Sequence, residues 1–196
     1  MSAGLSLEIQ TGISTTNLRV PASPHHKITL MKTLYILRHA KSSWENANLS
    51  DFDRPLNGRG LETAPFMGEL MKKNQFQPEM ILSSPAKRAE QTAVLVKGAA
   101  GFAAEIEFEE RIYEASPARL LEIIRQQNNR FESVLLVGHN PGLENLIRAL
   151  TGELQPMPTA ALAVVDLETD KWSEINSSTG KLRTLIRPKE VQLNEK

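Results

Sequence analysis

The chain has 196 residues, no cysteine, and 23 Lys and Arg side chains against 23 Asp and Glu. Without cysteine there is no disulfide framework, thiolate metal site or cysteine nucleophile, and the expected location is a reducing one, the cytoplasm. A formal charge of zero gives no global pull toward nucleic acid or an anionic membrane, so any anion chemistry must come from a local cluster of basic groups.

Residues 1–30 are rich in Ser and Thr and lack the basic segment followed by an apolar core of a secretory signal. No apolar run approaches the roughly 20 residues of a membrane span. We expect 1–30 to be a disordered extension, with a start at Met31 as the alternative, followed by one domain over 31–190 and a short tail over 191–196. His25 and His26 fall in the extension, which leaves His39 and His139.

The run from Thr33 to Leu37 is short, apolar and rich in β-branched and aromatic residues, which predicts a buried strand ending at Arg38-His39. A polar loop with Pro and Gly follows, and Asn57 is placed to cap a helix carrying Leu61, Ala64, Gly68 and Met71 on one face. Pro65 inside that helix is expected to kink or delay it. Met80 to Leu82 reads as a second strand. Ser84-Pro85 then predicts an N-cap and a proline-started helix reaching about Lys97, with Arg88 one turn in. Glu105 to Phe108 alternates as a half-buried strand does, and Ser116-Pro117 opens another helix. Val134 to Val137 is a further buried strand ending at Gly138-His139. Asn140-Pro141 starts a helix whose Leu143, Leu146, Ile147 and Leu150 share a face and which Gly152 closes. Ala161 to Leu167 and Trp172 to Ile175 are expected as two last strands. This alternation predicts a three-layer α/β/α sandwich with a largely parallel sheet, with ligands bound beyond the carboxyl ends of its strands.

The chemistry-bearing residues sit at those ends. Three strand ends deliver two imidazoles, His39 and His139, and two guanidinium groups, Arg38 and Arg88. Arginine offers a planar fork of donors suited to phosphate oxygens, and the helices opening at Pro85 and Pro141 would add free N–H groups. One histidine can attack phosphorus as a neutral imidazole while the other donates to the phosphoryl oxygens. No Asp or Glu accompanies either histidine at ligand spacing, so neither a metal nor another cofactor is expected.

The runs Arg38-His-Ala-Lys-Ser-Ser-Trp44, Ser83-Ser-Pro-Ala-Lys-Arg88-Ala-Glu-Gln-Thr92 and Val137-Gly-His139-Asn-Pro141 together resemble the histidine phosphatase superfamily, and within it the compact SixA-type phosphohistidine phosphatases. The resemblance implies a phosphoglycerate mutase-like fold, His39 as the phosphorylated nucleophile, and Arg38, Arg88 and His139 as the phosphate pocket. Ala40 stands where the broad superfamily commonly has Gly, as the compact branch often does. The segment from Asp51 to Gly60 also resembles that branch, with Arg54 able to support the pocket rim. Larger members use an acid after the third strand, and Glu110, then Glu114, are the candidates for that proton donor. The connection between the Arg88 helix and Glu110 is of ordinary length, which leaves no segment for a lid domain. An unroofed pocket admits a phosphorylated side chain on a protein such as a histidine-phosphotransfer domain. The alternatives are a general phosphomonoesterase for small or peptide-linked phosphates and a non-catalytic phosphate-binding adaptor. The oligomeric state stays open.

Overall fold

The computed structural model describes residues 31–194, so the extension expected over 1–30 lies outside the described residues. Strands β1 (Lys32–Arg38), β2 (Met80–Ser83), β3 (Glu105–Phe108), β4 (Ser133–Gly138), β5 (Leu162–Leu167) and β6 (Gly180–Ile186) alternate with helices α1 (Gly58–Lys73), α2 (Lys87–Ala100), α3 (Pro117–Arg125), α4 (Gly142–Thr151) and α5 (Pro188–Asn194). The boundary expected at residue 190 thus falls inside α5. The strands form one sheet in the order β3-β2-β4-β1-β5-β6. Neighbouring strands are parallel from β3 to β1, and β5 runs antiparallel to both β1 and β6.

The continuous apolar runs of β1 and β4 have a physical reason: both faces of the central strands are covered. Tyr35, Leu37, Ile81, Leu135 and Val137 face a core completed by Ala64, Met67 and Met71 of α1 and Ala89, Ala93 and Val96 of α2. Leu34, Ile36, Leu82, Val134 and Leu136 face the opposite core, with Leu120, Ile123 and Ile124 of α3 and Leu143, Leu146 and Ile147 of α4. Alternate residues of each strand feed opposite layers, and the result is the expected three-layer sandwich.

Two helices begin as their sequences predict. The Asn57 side chain accepts from the Gly60 N–H, and the Ser116 side chain accepts from the Arg119 N–H. Three expectations need correction. Helix α1 runs unbroken through Pro65, although an interior proline costs about 3 kcal/mol. The lost bond falls near exposed Leu61, whose carbonyl water can serve, while Met67, Leu70 and Met71 anchor the following turns in the core. Helix α2 starts at Lys87 after Ala86, with no side-chain cap, so Ser84 is not its N-cap. Finally, Trp172–Glu174 is a 3₁₀ turn and the partner of β5 is β6. Trp172 is fully buried by packing, and its indole N–H donates to the Phe131 carbonyl.

The layer of α1 and α2 depends on Gly68. A Cβ there would lie 2.5 Å from the Val96 carbonyl oxygen and 2.9 Å from the Ala99 Cβ. Alanine ordinarily stabilises a helix interior by about 1 kcal/mol over glycine. Here the overlap is with backbone, so Gly68→Ala is expected to destabilise by about 1–3 kcal/mol, read as a lower urea midpoint with the slope unchanged.

Candidate active site

The strand order places three carboxyl ends side by side. Arg38 closes β1 and His39 follows; Gly138 closes β4 and His139 follows; Ser83 closes β2 and Ser84 follows. Ladder bonds continue one residue past the strands: the His39 N–H donates to the Gly138 carbonyl at 3.1 Å and the Ser84 N–H to the Val137 carbonyl at 3.0 Å. The His39 and His139 rings come to 5.0 Å between centroids, and each residue is only 8% exposed.

The hydrogen bonds fix what each ring can do. Nδ1 of His39 lies 2.7 Å from the Ala40 carbonyl. A carbonyl can only accept, so Nδ1 carries the proton and Nε2 keeps its lone pair. The turn is itself pinned, since the Ala40 N–H donates to Thr92 Oγ1, whose hydroxyl donates to the Arg88 carbonyl. Nε2 of His139 lies 2.9 Å from Ser84 Oγ, the hydroxyl freed from a capping role. That hydroxyl also accepts from the Ala86 N–H at 3.3 Å. Ser84→Ala would leave Nε2 unpartnered and is expected to cost up to about tenfold in rate. The pH profile should shift with it, which a purely structural loss would not produce.

Burial, opposed by the bond to Ala40 and reinforced by Arg88 and Arg38, lowers the His39 pKa to about 4. Burial and then the neighbouring His39 and Arg88 lower His139 to about 3. Both rings are therefore neutral in the free protein at pH 7. The unfolded chain takes up these protons near pH 6.5 and the folded one only near 4 and 3, so the stability held above pH 6.5 is lost progressively as pH falls. Denaturant midpoints between pH 7 and pH 4 should drop less steeply in His39→Asn than in the parent.

Arginines flank the rings. Arg38 donates through Nη1 to the Met157 carbonyl at 2.7 Å; burial lowers its pKa, and the charge of Glu144 opposes that shift. Glu144 also accepts from the Met157 N–H and from the Asn140 side chain, which ties the loop at 157 to α4. Arg88 donates to the Asp51 carbonyl and, at 2.8 Å, to its carboxylate. Asp51 receives two further donors, Arg54 Nη1 at 2.7 Å and the Tyr113 hydroxyl at 3.0 Å. Burial raises the Asp51 pKa, but Tyr113, Arg88 and Arg54 together hold it below its ordinary value. Asp51, Arg88, Glu114, His139 and Asn145 line a cleft of about 640 Å³. A second large cleft, of about 660 Å³, lies at the opposite end of β2 and β3, and no histidine lines it. Arg38 Nε, His139 Nδ1 and Asn140 Oδ1 are the buried side-chain polar atoms without a partner among the described residues, and all three belong to this site.

Comparison with known proteins agrees with the geometry. Residues 34–119 match the model of the histidine phosphatase superfamily, branch 1. Phosphohistidine phosphatase SixA of Escherichia coli K12 is 30% identical over 139 residues, 69% of this chain and 85% of that one. The chain belongs to the histidine phosphatase superfamily. An uncharacterized chloroplastic protein of Arabidopsis thaliana is 29% identical over 180 residues, 85% of this chain and 82% of that protein. A solved SixA structure from Agrobacterium tumefaciens has a TM-score of 0.70 at 32% identity, covering 80% of this chain and 98% of that one. The protein histidine phosphatase SixA solved with tungstate has a TM-score of 0.70 at 26% identity, covering 81% and 99%.

As a SixA-type member of the superfamily the chain is a hydrolase, and its fold is the phosphoglycerate mutase-like one. Of the residues singled out from sequence, the structure brings Arg38, His39, Arg88 and His139 together. Arg54 joins them indirectly, through Asp51, and its guanidinium carbon sits 3.1 Å from the centroid of the exposed Trp44 ring. Glu110 stands apart: it is exposed on a 3₁₀ turn and does not line the histidine cleft, whereas Glu114 does. Sequence reasoning gave Asp51 and Tyr113 no part in the site and read Ser84 only as a helix cap. Tyr113 packs edge-on against His139 at 5.5 Å between centroids. The signal for Tyr113 was its place at the end of the short turn that follows the third strand, but nothing local pointed to Asp51, which meets Arg88 across 37 residues of chain. Among the described residues no three His, Asp or Glu side chains are grouped to hold a metal, and no helix is long and apolar enough to cross a membrane.

Proposed function

We propose that this protein is a cytoplasmic, metal-independent phosphatase that removes phosphate from phosphohistidine on a protein, through a phospho-His39 intermediate. The observation that carries the reading is the His39 tautomer: a neutral ring with its proton held on Nδ1 by the Ala40 carbonyl offers Nε2 as a nucleophile. The unpartnered buried donors of Arg38 and His139 support an oxyanion as the missing partner, because buried polar atoms are rarely left unpaired.

In the first step the His39 Nε2 lone pair forms a bond to phosphorus while the bond from phosphorus to the substrate nitrogen breaks. Arg38, Arg88 and His139 hold the three phosphoryl oxygens. The arriving dianion favours a protonated His139, since it opposes the burial and neighbouring charge that depress its pKa. In the second step water attacks phosphorus and His39 leaves. Asp51 is a poor proton donor at pH 7, because its three donors favour the carboxylate. A phosphohistidine substrate suits such a site, since a protonated imidazole departs without a dedicated acid. The names of the SixA relatives support the same substrate.

Glu114, which lines the cleft, favours one second reading, a phosphomonoesterase in which it protonates an alkoxide. Release of ³²P from a phosphohistidine protein and from an aryl phosphate, with EDTA present, separates the two. His39-dependent preference for the protein is the expected result. Preference for the ester would move the assignment, and loss of activity in EDTA would overturn the metal-free mechanism.

A further inference from the structure

A second, smaller cleft adjoins the histidine site. It encloses about 150 Å³ and is lined by Lys41, Arg59, Pro158, Thr159, Pro188 and Lys189. Three cations and no carboxylate line it. None of the three makes a side-chain hydrogen bond or ion pair with another described residue. Lys87, Arg119, Lys171 and Arg187, by contrast, each sit against a glutamate three residues away, whereas the three cations of this cleft converge on one space with no carboxylate to neutralise them. Arg59 lies in the first turn of α1, a turn with no acidic residue to offset the positive end of the helix.

The backbone joins this cleft to the nucleophile. Lys41 is two residues beyond His39, and its carbonyl accepts the Asn57 N–H at the start of α1. The Met157 carbonyl holds Arg38, and the next two residues, Pro158 and Thr159, line the cleft. Ala160 then returns to donate its N–H to the carbonyls of Arg38 and His39. A substrate presenting its phosphoryl group to His39 therefore has neighbouring surface over Lys41, Arg59 and Lys189.

We propose that this cleft is a docking subsite for an acidic side chain, Asp or Glu, on the phosphoprotein substrate. The inference rests on the phosphoprotein reading above. Size argues for it: sites for whole small molecules enclose about 300–1,000 Å³, whereas this cleft has room for the tip of one anionic side chain. Exposed complementary charge beside a reacting group speeds encounter and fixes orientation, so it acts on KM and on salt dependence rather than on the chemical step.

The test uses the full-length protein and its Arg59→Glu/Lys189→Glu double variant. With a phosphohistidine protein the variant is expected to raise KM about tenfold and to flatten the salt dependence. Its kcat, and its activity on an aryl phosphate, should change by less than about twofold. A KM for the phosphoprotein equal to the parent's overturns the proposal. A second arm is independent of turnover: a glutamate-rich unphosphorylated peptide is titrated into ¹⁵N-labelled protein. Amide shifts at Lys41, Arg59 and Thr159 that vanish in the variant are expected. Absence of those shifts in the parent, or shifts of equal size in the variant, overturns the subsite. Failure of the parent to hydrolyse phosphohistidine would refute the proposed substrate, and the peptide titration would still decide the cleft.

Discussion

His39→Ala is expected to abolish turnover, with a loss of about 10⁴–10⁶-fold, the scale on which removal of a covalent nucleophile operates. The size follows from the absence of a substitute. His139 is the other imidazole within reach, but its Nε2 is engaged by Ser84 and its Nδ1 is buried. Rapid quenching of the parent with ³²P-labelled substrate should trap label in a bond stable to alkali and labile to acid, as a phosphoramidate is, and His39→Ala should show none. Label at His139, or undiminished turnover in the variant, would rule out the mechanism. His39→Asn can still donate toward Ala40, and it should be as inactive as the alanine variant. The nucleophilic lone pair is what matters, not the packing of the turn.

The contrast between His39 and Asp51 shows what the sequence makes legible. Arg38-His39 and Gly138-His139 end apolar runs whose lengths match buried strands, and a strand end in a parallel sheet is where ligands collect. Position and chemistry are thus both encoded locally. Asp51 has one local partner, Arg54, but is encoded far from the two that tie it to the site, Arg88 and Tyr113. It sits in the loop between β1 and α1, is brought to α2 when the Lys87 N–H donates to the Phe52 carbonyl, and then gathers Arg54, Arg88 and Tyr113. Ser84 misled for a related reason. A Ser-Pro pair is a good local helix start, but the hydroxyl has a non-local competitor in His139, 55 residues away, and the helix yields by starting at Lys87. At the end of the sheet the apolar weight of Trp172 and Ile175 suggested a strand. Both are buried as anchors of a turn, while the true edge strand, Gly180–Ile186, alternates exposed and half-buried residues over much of its length and carries a weaker apolar signal.

Arg88→Ala is expected to lower kcat/KM by about 10²–10³-fold, by raising KM and lowering kcat together. The guanidinium has five N–H donors, and Asp51 occupies one Nη hydrogen through its carbonyl and one through its carboxylate. The rest are free for phosphoryl oxygens, and the fork cannot rotate away because Asp51 grips it. A phosphoryl group gains negative charge on its equatorial oxygens as transfer proceeds, so a fixed guanidinium binds the transition state more strongly than the ground state. Arg88→Lys restores a charge without the fork and should recover KM better than kcat. Asp51→Asn tests the grip itself, since it removes the charge that holds Arg88, Arg54 and Tyr113 while leaving a polar side chain of the same shape. If orientation of Arg88 is what Asp51 supplies, the two substitutions will be strongly non-additive, and the double variant will be little worse than Arg88→Ala alone. Additive losses would instead mean that Asp51 acts on the reaction without Arg88, as a proton donor or a water ligand would.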